Sequence, residues 1–208
     1  MFTGIVQGIA KIVAVEENKL LRTHLVKLPK KLLPDLILGA SIAHNGCCLS
    51  VTHLQGDLAK FDLIKETLRI TNLLELQVGD LVNVERAAKF SDEIGGHVMS
   101  GHIITTAVIY KIVKIKNNYE LWCKLKDSIY MKYILCKGFI GLDGISLTIA
   151  NITNNKFCVY LIPETLSRTI LATKKVGDKV NVEVDFRTQA IVDTVERVLT
   201  QSKISVVK

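Results

Sequence analysis

Three blocks of this chain occur twice, so any fold it adopts must be built from two copies of one unit. Asn45-Gly46-Cys47-Cys48-Leu49-Ser50-Val51 returns as Asp143-Gly144-Ile145-Ser146-Leu147-Thr148-Ile149, 98 positions further on (45 against 143). The same spacing carries Leu63-Ile64-Lys65-Glu66-Thr67-Leu68 onto Leu161-Ile162-Pro163-Glu164-Thr165-Leu166. It also carries Val78-Gly79-Asp80-Leu81-Val82-Asn83-Val84-Glu85 onto Val176-Gly177-Asp178-Lys179-Val180-Asn181-Val182-Glu183. The opening Phe2-Thr3-Gly4-Ile5-Val6 matches Met99-Ser100-Gly101-His102-Ile103 at a spacing of 97 (2 against 99), so a one-residue slip separates it from the other blocks. One register held across three blocks is a duplication, not chance.

The repeated blocks predict strands. Val82 to Glu85 and Val180 to Asp185 alternate apolar and polar residues with the period of a half-buried strand, each after a Val-Gly-Asp turn. Further strands are expected at 5–15, 24–28, 48–53, 60–64, 103–113, 120–124, 147–152 and 157–162. Short helical pieces are expected at 66–73, at the counterpart 164–171 after Pro163, and at 128–136. With no long helix alternating with strands, a parallel doubly wound sheet is disfavoured, and two small closed or nearly closed antiparallel barrels fit best; closure also removes exposed sheet edges. Beyond the second copy, Ile191, Val192, Val195, Val198 and Leu199 form a helical apolar stripe behind a candidate N-cap at Thr188. A lone helix of about three turns is marginal unless its stripe is buried, so the tail is expected either to self-associate or to pack on its own barrel. The expected units are 1–97, 98–187 and a tail at 188–208.

Composition narrows the functions. The chain has 208 residues, 49% of them hydrophobic, and only 3 prolines, which suits globular domains and argues against disorder. The start Met1-Phe2-Thr3-Gly4-Ile5-Val6 lacks the basic, apolar pattern of a signal peptide, and no apolar run approaches the roughly 20 residues of a membrane span, so no membrane association and a cytoplasmic location are expected. The 5 cysteines show no CxxC spacing, and reduced thiols are expected. A metal site drawn from His44, Cys47, Cys48 and His53 has irregular spacing, and none is expected. The net charge of +7 comes from scattered lysines such as Lys30-Lys31 and Lys174-Lys175, without the clustered, aromatic-interleaved pattern of a nucleic-acid face. It suits a solvated surface or long-range attraction of a small anion.

Differences between the copies are chemical. Cys48 stands against Ser146, Asn45 against Asp143, Ile5 against His102, and Gly39 against Lys137. Shared residues are small or hydroxyl-bearing: Gly4 and Gly101, Gly46 and Gly144, Ser50 and Thr148, Thr67 and Thr165. Such groups let a ligand approach the backbone and bond a polar heterocycle or polyol. Each candidate has an ordinary alternative: Cys48 a small buried hydrophobe, His102 a hydrogen-bonded structural residue, Lys137 a surface lysine ending a helix, Asp185 a solvated carboxylate.

Taken together, Met1 to Val6, Asn45-Gly46-Cys47-Cys48-Leu49, Lys65-Glu66-Thr67-Leu68, Ser100-Gly101-His102, Gly144-Ile145-Ser146-Leu147-Thr148 and Pro163-Glu164-Thr165-Leu166 closely resemble the riboflavin synthase family of the alpha-chain type, over essentially the whole chain up to about Gln201. The resemblance implies an all-β fold of two tandem homologous six-stranded Greek-key antiparallel barrels plus a C-terminal helix. It implies an enzyme with no cofactor, in which two molecules of 6,7-dimethyl-8-ribityllumazine exchange a four-carbon unit to give riboflavin and 5-amino-6-(ribitylamino)uracil. It also implies a homotrimer joined through its C-terminal helices, with active sites between subunits. At matching positions it implies ligand contacts at Gly4, Ile5, Val6, Cys48, Leu49, Ser50, Asp62, Leu63, Ile64, Lys65, Glu66, Thr67, Gly101, His102, Ile103, Lys137, Ser146, Leu147, Thr148, Tyr160, Leu161, Ile162, Pro163, Glu164 and Thr165. The expected roles are methyl deprotonation for His102 with Thr148, and nucleophile for Cys48 or a water beside Ser146. Ser41, Lys137 and Asp185 are expected to position groups or stabilise charge. The nearest rival is a non-catalytic lumazine- or flavin-binding antenna protein of the same duplicated fold, against which Cys48, His102 and Lys137 argue.

Overall fold

The structure is a computed structural model that describes residues 1–19, 21–116 and 118–205, with 202–205 described in backbone only. The first barrel comprises β1 (Gly8–Glu17), β2 (Leu21–Lys27), β3 (Ser41–His44), β4 (Cys47–Gln55), β5 (Leu58–Ile64) and β6 (Leu81–Arg86). Its strands close in the order β1-β2-β5-β4-β3-β6, with every neighbouring pair antiparallel. The second barrel repeats this with β7 (Thr105–Ile115), β8 (Asn118–Leu125), β9 (Phe139–Leu142), β10 (Ile145–Thr153), β11 (Lys156–Leu161) and β12 (Lys179–Val184). Even the bulges recur, between Ile12 and Ala14 and between Ile109 and Lys111 in the first strand of each barrel, and at Val51/His53 and Ile149/Asn151 in the fourth. They help each strand bend around its barrel.

Ten strands fall where the sequence predicts them, with ends shifted by a few residues; β3 and β9 are additional. Both are only four residues long and buried at three of them, so they carry no period-two pattern. They are joined to β4 and β10 by Asn45-Gly46 and Asp143-Gly144, whose φ values of 45° and 80°, and 43° and 81°, are those of type I′ hairpin turns. The expected helical pieces are shorter than predicted: α1 (Lys65–Ile70) and α2 (Pro163–Arg168) each run into a 3₁₀ turn, and 128–136 is a 3₁₀ helix at Ser128–Tyr133.

Each barrel interior is filled by the inward half of its strands, and volume is conserved between copies by exchange. Ala59 and Phe61 on β5 correspond to Phe157 and Val159 on β11, so one phenylalanine moves by one inward position. The first barrel is more polar inside. His24 and His44, both fully buried, occupy the positions of Leu121 and Leu142 in the second. His44 meets Phe61 edge-on at 4.2 Å, and Arg22 Nε donates to His24 Nε2 at 3.2 Å.

The two barrels also complete each other. Pairing of β4 with β5 stops at Val51↔Phe61, and the Cys48 N–H beyond that point donates to Gly101 O at 2.9 Å. Ile103, two residues later in chain, belongs to the first barrel's core. Reciprocally, β10–β11 pairing stops at Ile149↔Val159, Ser146 N–H donates to Gly4 O at 2.8 Å, and Val6 belongs to the second barrel's core. A short antiparallel bridge between Phe2 and Met99 lies between these crossings.

Asn83 and Asn181, polar positions in the strand alternation, are buried between the barrels, because the other copy covers that face. Asn83 Nδ2 donates to Asp143 O and Asn181 Nδ2 to Asn45 O, both at 2.9 Å. Their Oδ1 atoms accept from Ile170 N (2.9 Å) and Asn72 N (2.6 Å). At the centre the two hairpins touch: a Cβ on Gly46 would lie 2.7 Å from Gly144 N. These two glycines serve the contact between barrels, not the close approach of a ligand.

The tail forms α3 (Phe186–Ser205). Asp185, not Thr188, caps it: its carboxylate accepts from Arg187 N and Thr188 N at 3.3 Å and from Thr188 Oγ1 at 2.9 Å. Val192 packs on the second barrel, and Lys132 and Tyr133 bond Asp193, yet Ile191, Val195, Val198 and Leu199 stay 65%, 51%, 51% and 58% exposed. Burial on its own barrel therefore does not account for most of the stripe. The role of the residues after Gln201 lies outside the described side chains. Among the described residues no helix is long and apolar enough to cross a membrane.

Two outcomes follow. Gly39→Ala, with φ +82° and open space around its Cβ, should cost about 1 kcal/mol, whereas Gly46→Ala adds a backbone clash and should cost about 3 kcal/mol or more by urea unfolding. Burial, with the charge of neighbouring His24, lowers the His44 pKa to about 3; burial, with Arg22, lowers that of His24 to about 4. Both are neutral in either state well above pH 6.5, the unfolded value. Below it the unfolded chain takes up protons that the folded barrel refuses, so stability falls as pH drops from 6.5 towards 3. For His44 that is about 2 kcal/mol at pH 5, and His44→Leu should flatten the acid limb of a stability–pH curve.

Candidate functional site

The point where each barrel splays beside the other half's crossing segment is a mouth, a common place for a ligand in small barrels. Strand alternation decides what faces it. On β4 and β5, Cys48, Ser50, Asp62 and Ile64 point outward, while Leu49 and Leu63 point into the core. On β10 and β11, Ser146, Thr148, Tyr160 and Ile162 point outward, while Leu147 and Leu161 are buried. The four leucines can therefore offer a ligand only backbone. Val6 and Ile103 likewise are plugs in the cores, leaving Ile5 and His102 as the exposed residues of their segments, next to the buried Gly4 and Gly101.

The predicted contacts thus sort into two mouths, each drawing on both halves of the chain. Cys48, Ser50, Asp62, Ile64 and Thr67 share the first with Gly101 and His102; a Cβ on Gly101 would lie 2.6 Å from Cys48 Cβ. Ser41 also belongs here, directly opposite Ser50 across the β3–β4 pair. Ser146, Thr148, Tyr160, Ile162 and Thr165 share the second with Gly4 and Ile5; a Cβ on Gly4 would lie 2.5 Å from Ser146 Cβ. His102 lines a cleft with Met1, Ser100, Phe186 and Gln189 beside the start of α3. Within one chain, His102 and Thr148 are not brought to the same mouth.

Helices α1 and α2 begin at these mouths. Their Glu66 and Glu164 are held by their own helices: Arg69 bonds Glu66 through two nitrogens at 2.8 and 2.6 Å, and Arg168 bonds Glu164. Lys65 and Pro163 open the two helices and are exposed. Lys137 does not end a helix. It lies in the turn before β9 with φ 67°, a conformation its counterpart Gly39 adopts freely at 82° and a lysine adopts at a cost of about 1 kcal/mol.

Consecutive residues of a strand face opposite ways, which separates the adjacent cysteines and the paper metal site. His44 and Cys47 are in the interior, Cys48 and His53 outside. Burial pushes the Cys47 thiol up to about 12, so it stays protonated, while Cys48 is half-buried at the mouth.

Three residues that hold the mouths together are not visible from the sequence. Glu85 and Glu183, read as polar strand positions, are 3% exposed and hold the crossing segments. Glu85 accepts from Thr3 N (2.6 Å), Thr3 Oγ1 (2.8 Å) and Gly4 N (3.1 Å); Glu183 accepts from Ser100 N (2.6 Å), Ser100 Oγ (2.8 Å) and Gly101 N (3.1 Å). Burial raises both pKa values and these donors oppose the rise. Their equivalence under the 98-residue spacing was the available signal. His97, whose Nδ1 lies 2.7 Å from Ser146 Oγ, is the third. It precedes the repeated block, so comparing copies could not reveal it. Replacing Glu183 by Gln should loosen Gly101–His102 and weaken ligand binding at the first mouth several-fold, and Glu85→Gln should do the same at the second through Gly4–Ile5, as read by fluorescence titration.

Comparison with known proteins agrees with this geometry. The lumazine binding domain family matches residues 3–87 and 100–185, one match per barrel. The chain is 64% identical to riboflavin synthase of Escherichia coli (strain K12) over 199 residues, 96% of this chain and 93% of that one. It is 53% identical to riboflavin synthase of Buchnera aphidicola subsp. Schizaphis graminum (96% and 96%) and 40% identical to that of Chlamydia pneumoniae (97% and 98%). Among solved structures it resembles LumP complexed with riboflavin, with a TM-score of 0.82 and 31% identity over 89% of this chain and 100% of that one. It also resembles LumP complexed with 6,7-dimethyl-8-(1'-D-ribityl) lumazine, with a TM-score of 0.80 and 29% identity over 89% and 99%. Two matched repeats, two equivalent mouths and full-length similarity to these enzymes together place the chain in the riboflavin synthase family.

Proposed function

We propose that this chain converts two molecules of 6,7-dimethyl-8-ribityllumazine into riboflavin and 5-amino-6-(ribitylamino)uracil, one lumazine occupying each kind of mouth. The observation that carries the reading is the pair of equivalent mouths with unequal chemistry, a thiol at Cys48 against a hydroxyl at Ser146. A reaction between two identical molecules in different roles suits two similar sites with different groups. Holding two heterocycles against each other supplies much of the acceleration, since oriented partners reach effective molarities on the order of 10⁵ M or more.

In this reading His102 and Thr148 assist removal of a proton from the 7-methyl group of the donor. Cys48, or a water beside Ser146, adds to ring carbon 7 of the acceptor. Ser41 and Lys137 orient and neutralise charge on the bound rings, and Asp185 acts from the start of α3. Outward Ser50, Asp62 and Thr67, and Thr148, Tyr160 and Thr165, offer polar groups for the ribityl chain and ring edges, with Ile64 and Ile162 as apolar surface. Because His102 and Thr148 belong to different mouths of one chain, their cooperation requires the first mouth of one copy to face the second mouth of another. A homotrimer joined through α3 meets that requirement, and the exposed Ile191, Val195, Val198 and Leu199 support it.

Purified protein given the lumazine with no added cofactor should develop riboflavin fluorescence; lumazine bound without conversion would favour a carrier of the same fold. Cys48→Ser and His102→Gln should each slow turnover roughly tenfold or more with a smaller effect on lumazine binding, and full activity in both would overturn their roles. Ile191→Lys with Val195→Lys should lower the mass seen by light scattering and reduce turnover with it; unchanged mass would remove α3 from the assembly.

A further inference from the structure

The second mouth contains an imidazole that the reaction scheme above does not use. His97 is 7% exposed, its ring lies parallel to Phe139 at 4.9 Å and 12°, and its Nδ1 is 2.7 Å from Ser146 Oγ. Gly96 makes the approach possible, since a Cβ there would lie 2.3 Å from Thr3 O and 2.5 Å from Ser146 Cβ. The stack and the glycine fix the ring over the hydroxyl, so the bond is built into the second mouth rather than formed by a mobile side chain. Among the described residues no histidine makes the same bond to Cys48, the counterpart of Ser146.

We propose that His97 is the positioning residue for Ser146, a buried imidazole whose Nδ1 holds this hydroxyl in place to serve a bound lumazine or a water beside it. The inference rests on the reaction proposed above. In a neutral imidazole one nitrogen donates and the other accepts, and the hydrogen bond made by one nitrogen dictates the state of the other. His97 Nε2 has no hydrogen-bond partner among the described residues, so no protein group locks the tautomer. With hydrogen on Nδ1, the ring donates to Ser146 Oγ and frees the O–H to donate to the ligand. With hydrogen on Nε2, Nδ1 accepts the Ser146 O–H, and the oxygen lone pairs are free to accept. Burial lowers the His97 pKa and the carboxylate of Asp185, the charged group that bears on it, opposes this; in the neutral ring Nδ1 can either donate to Ser146 Oγ or accept from it. In either tautomer the Ser146 hydroxyl is held on the ring with a hydrogen-bonding role left for the ligand, while the first mouth presents a thiol.

The test compares two replacements. His97→Phe keeps an aromatic ring on Phe139 and removes the hydrogen bond; His97→Asn keeps a polar group near the position of Nδ1. With lumazine as substrate, His97→Phe should lower kcat roughly tenfold with KM within about twofold of wild type, and His97→Asn should recover most of the loss. Ser146→Ala should lose as much as His97→Phe, and the double variant should be no slower than either single one. Wild-type turnover in His97→Phe, additive losses in the double variant, or equal damage in both His97 variants with parallel loss of lumazine binding would overturn the proposal. A wild-type protein that makes no riboflavin would instead overturn the reaction itself, and is scored separately in the same assay.

Discussion

Each barrel is closed by a residue from the other half of the chain. Val6 fills the core of the second barrel and Ile103 that of the first, at the points where β5 has parted from β4 and β11 from β10. Neither strand end could splay without this exchange, because the freed N–H groups of Cys48 and Ser146 would lose their partners and the cores would lie open. The two carbonyls that replace the missing strand pairing, Gly101 O and Gly4 O, are also what bring the glycine segments over the outward Cys48 and Ser146. Cohesion between barrels and assembly of the two mouths are one set of contacts.

The same exchange explains why so much polarity is buried between the copies. Asn45, Asn72, Asn83, Asp143 and Asn181 bond across or along the junction, and buried amides of this kind favour one docking geometry over others because a shifted register would leave them unpaired. Asp143 is the one carboxylate among them. It accepts from Asn181 N and Asn72 Nδ2, Lys174 lies 3.6 Å from its second oxygen, and burial still raises its pKa. The cavity on this side, lined by Asn72, Glu75, Lys174 and Lys179, has a volume of about 560 Å³ but includes none of the residues of the two mouths.

Duplication followed by divergence has left equivalent frames with unequal contents. The frame is kept by Glu85 and Glu183, by the hairpins at Asn45-Gly46 and Asp143-Gly144, and by the four bulges. The contents differ at Cys48 and Ser146, Ser41 and Phe139, Gly39 and Lys137, and Ile5 and His102. Phe139 provides the surface on which His97 is stacked, and Ser41 leaves the corresponding place in the first barrel small and polar. A symmetrical scaffold of this kind can present one ligand with two environments.

Much of this was legible in the residues. The 98-residue spacing revealed two copies, and alternation together with short apolar runs bounded by turn residues located ten strands, because these patterns survive wherever one face of a strand is covered. β3 and β9 were missed for want of length, although Asn-Gly and Asp-Gly are hairpin dipeptides that demand a strand on either side. Residue type and comparison of copies also singled out Cys48, Ser146, His102 and Lys137. What only the tertiary structure decided is which copy each segment serves. Gly4-Ile5-Val6 closes the second barrel and Gly101-His102-Ile103 the first. Asn83 and Asn181 face a neighbouring barrel instead of water, and His97 reaches Ser146. Sequence periodicity records which side of a strand is covered, but the identity of what covers it depends on contacts between residues some fifty to a hundred positions apart, such as Cys48 with Gly101 and His97 with Ser146, and no local pattern encodes them.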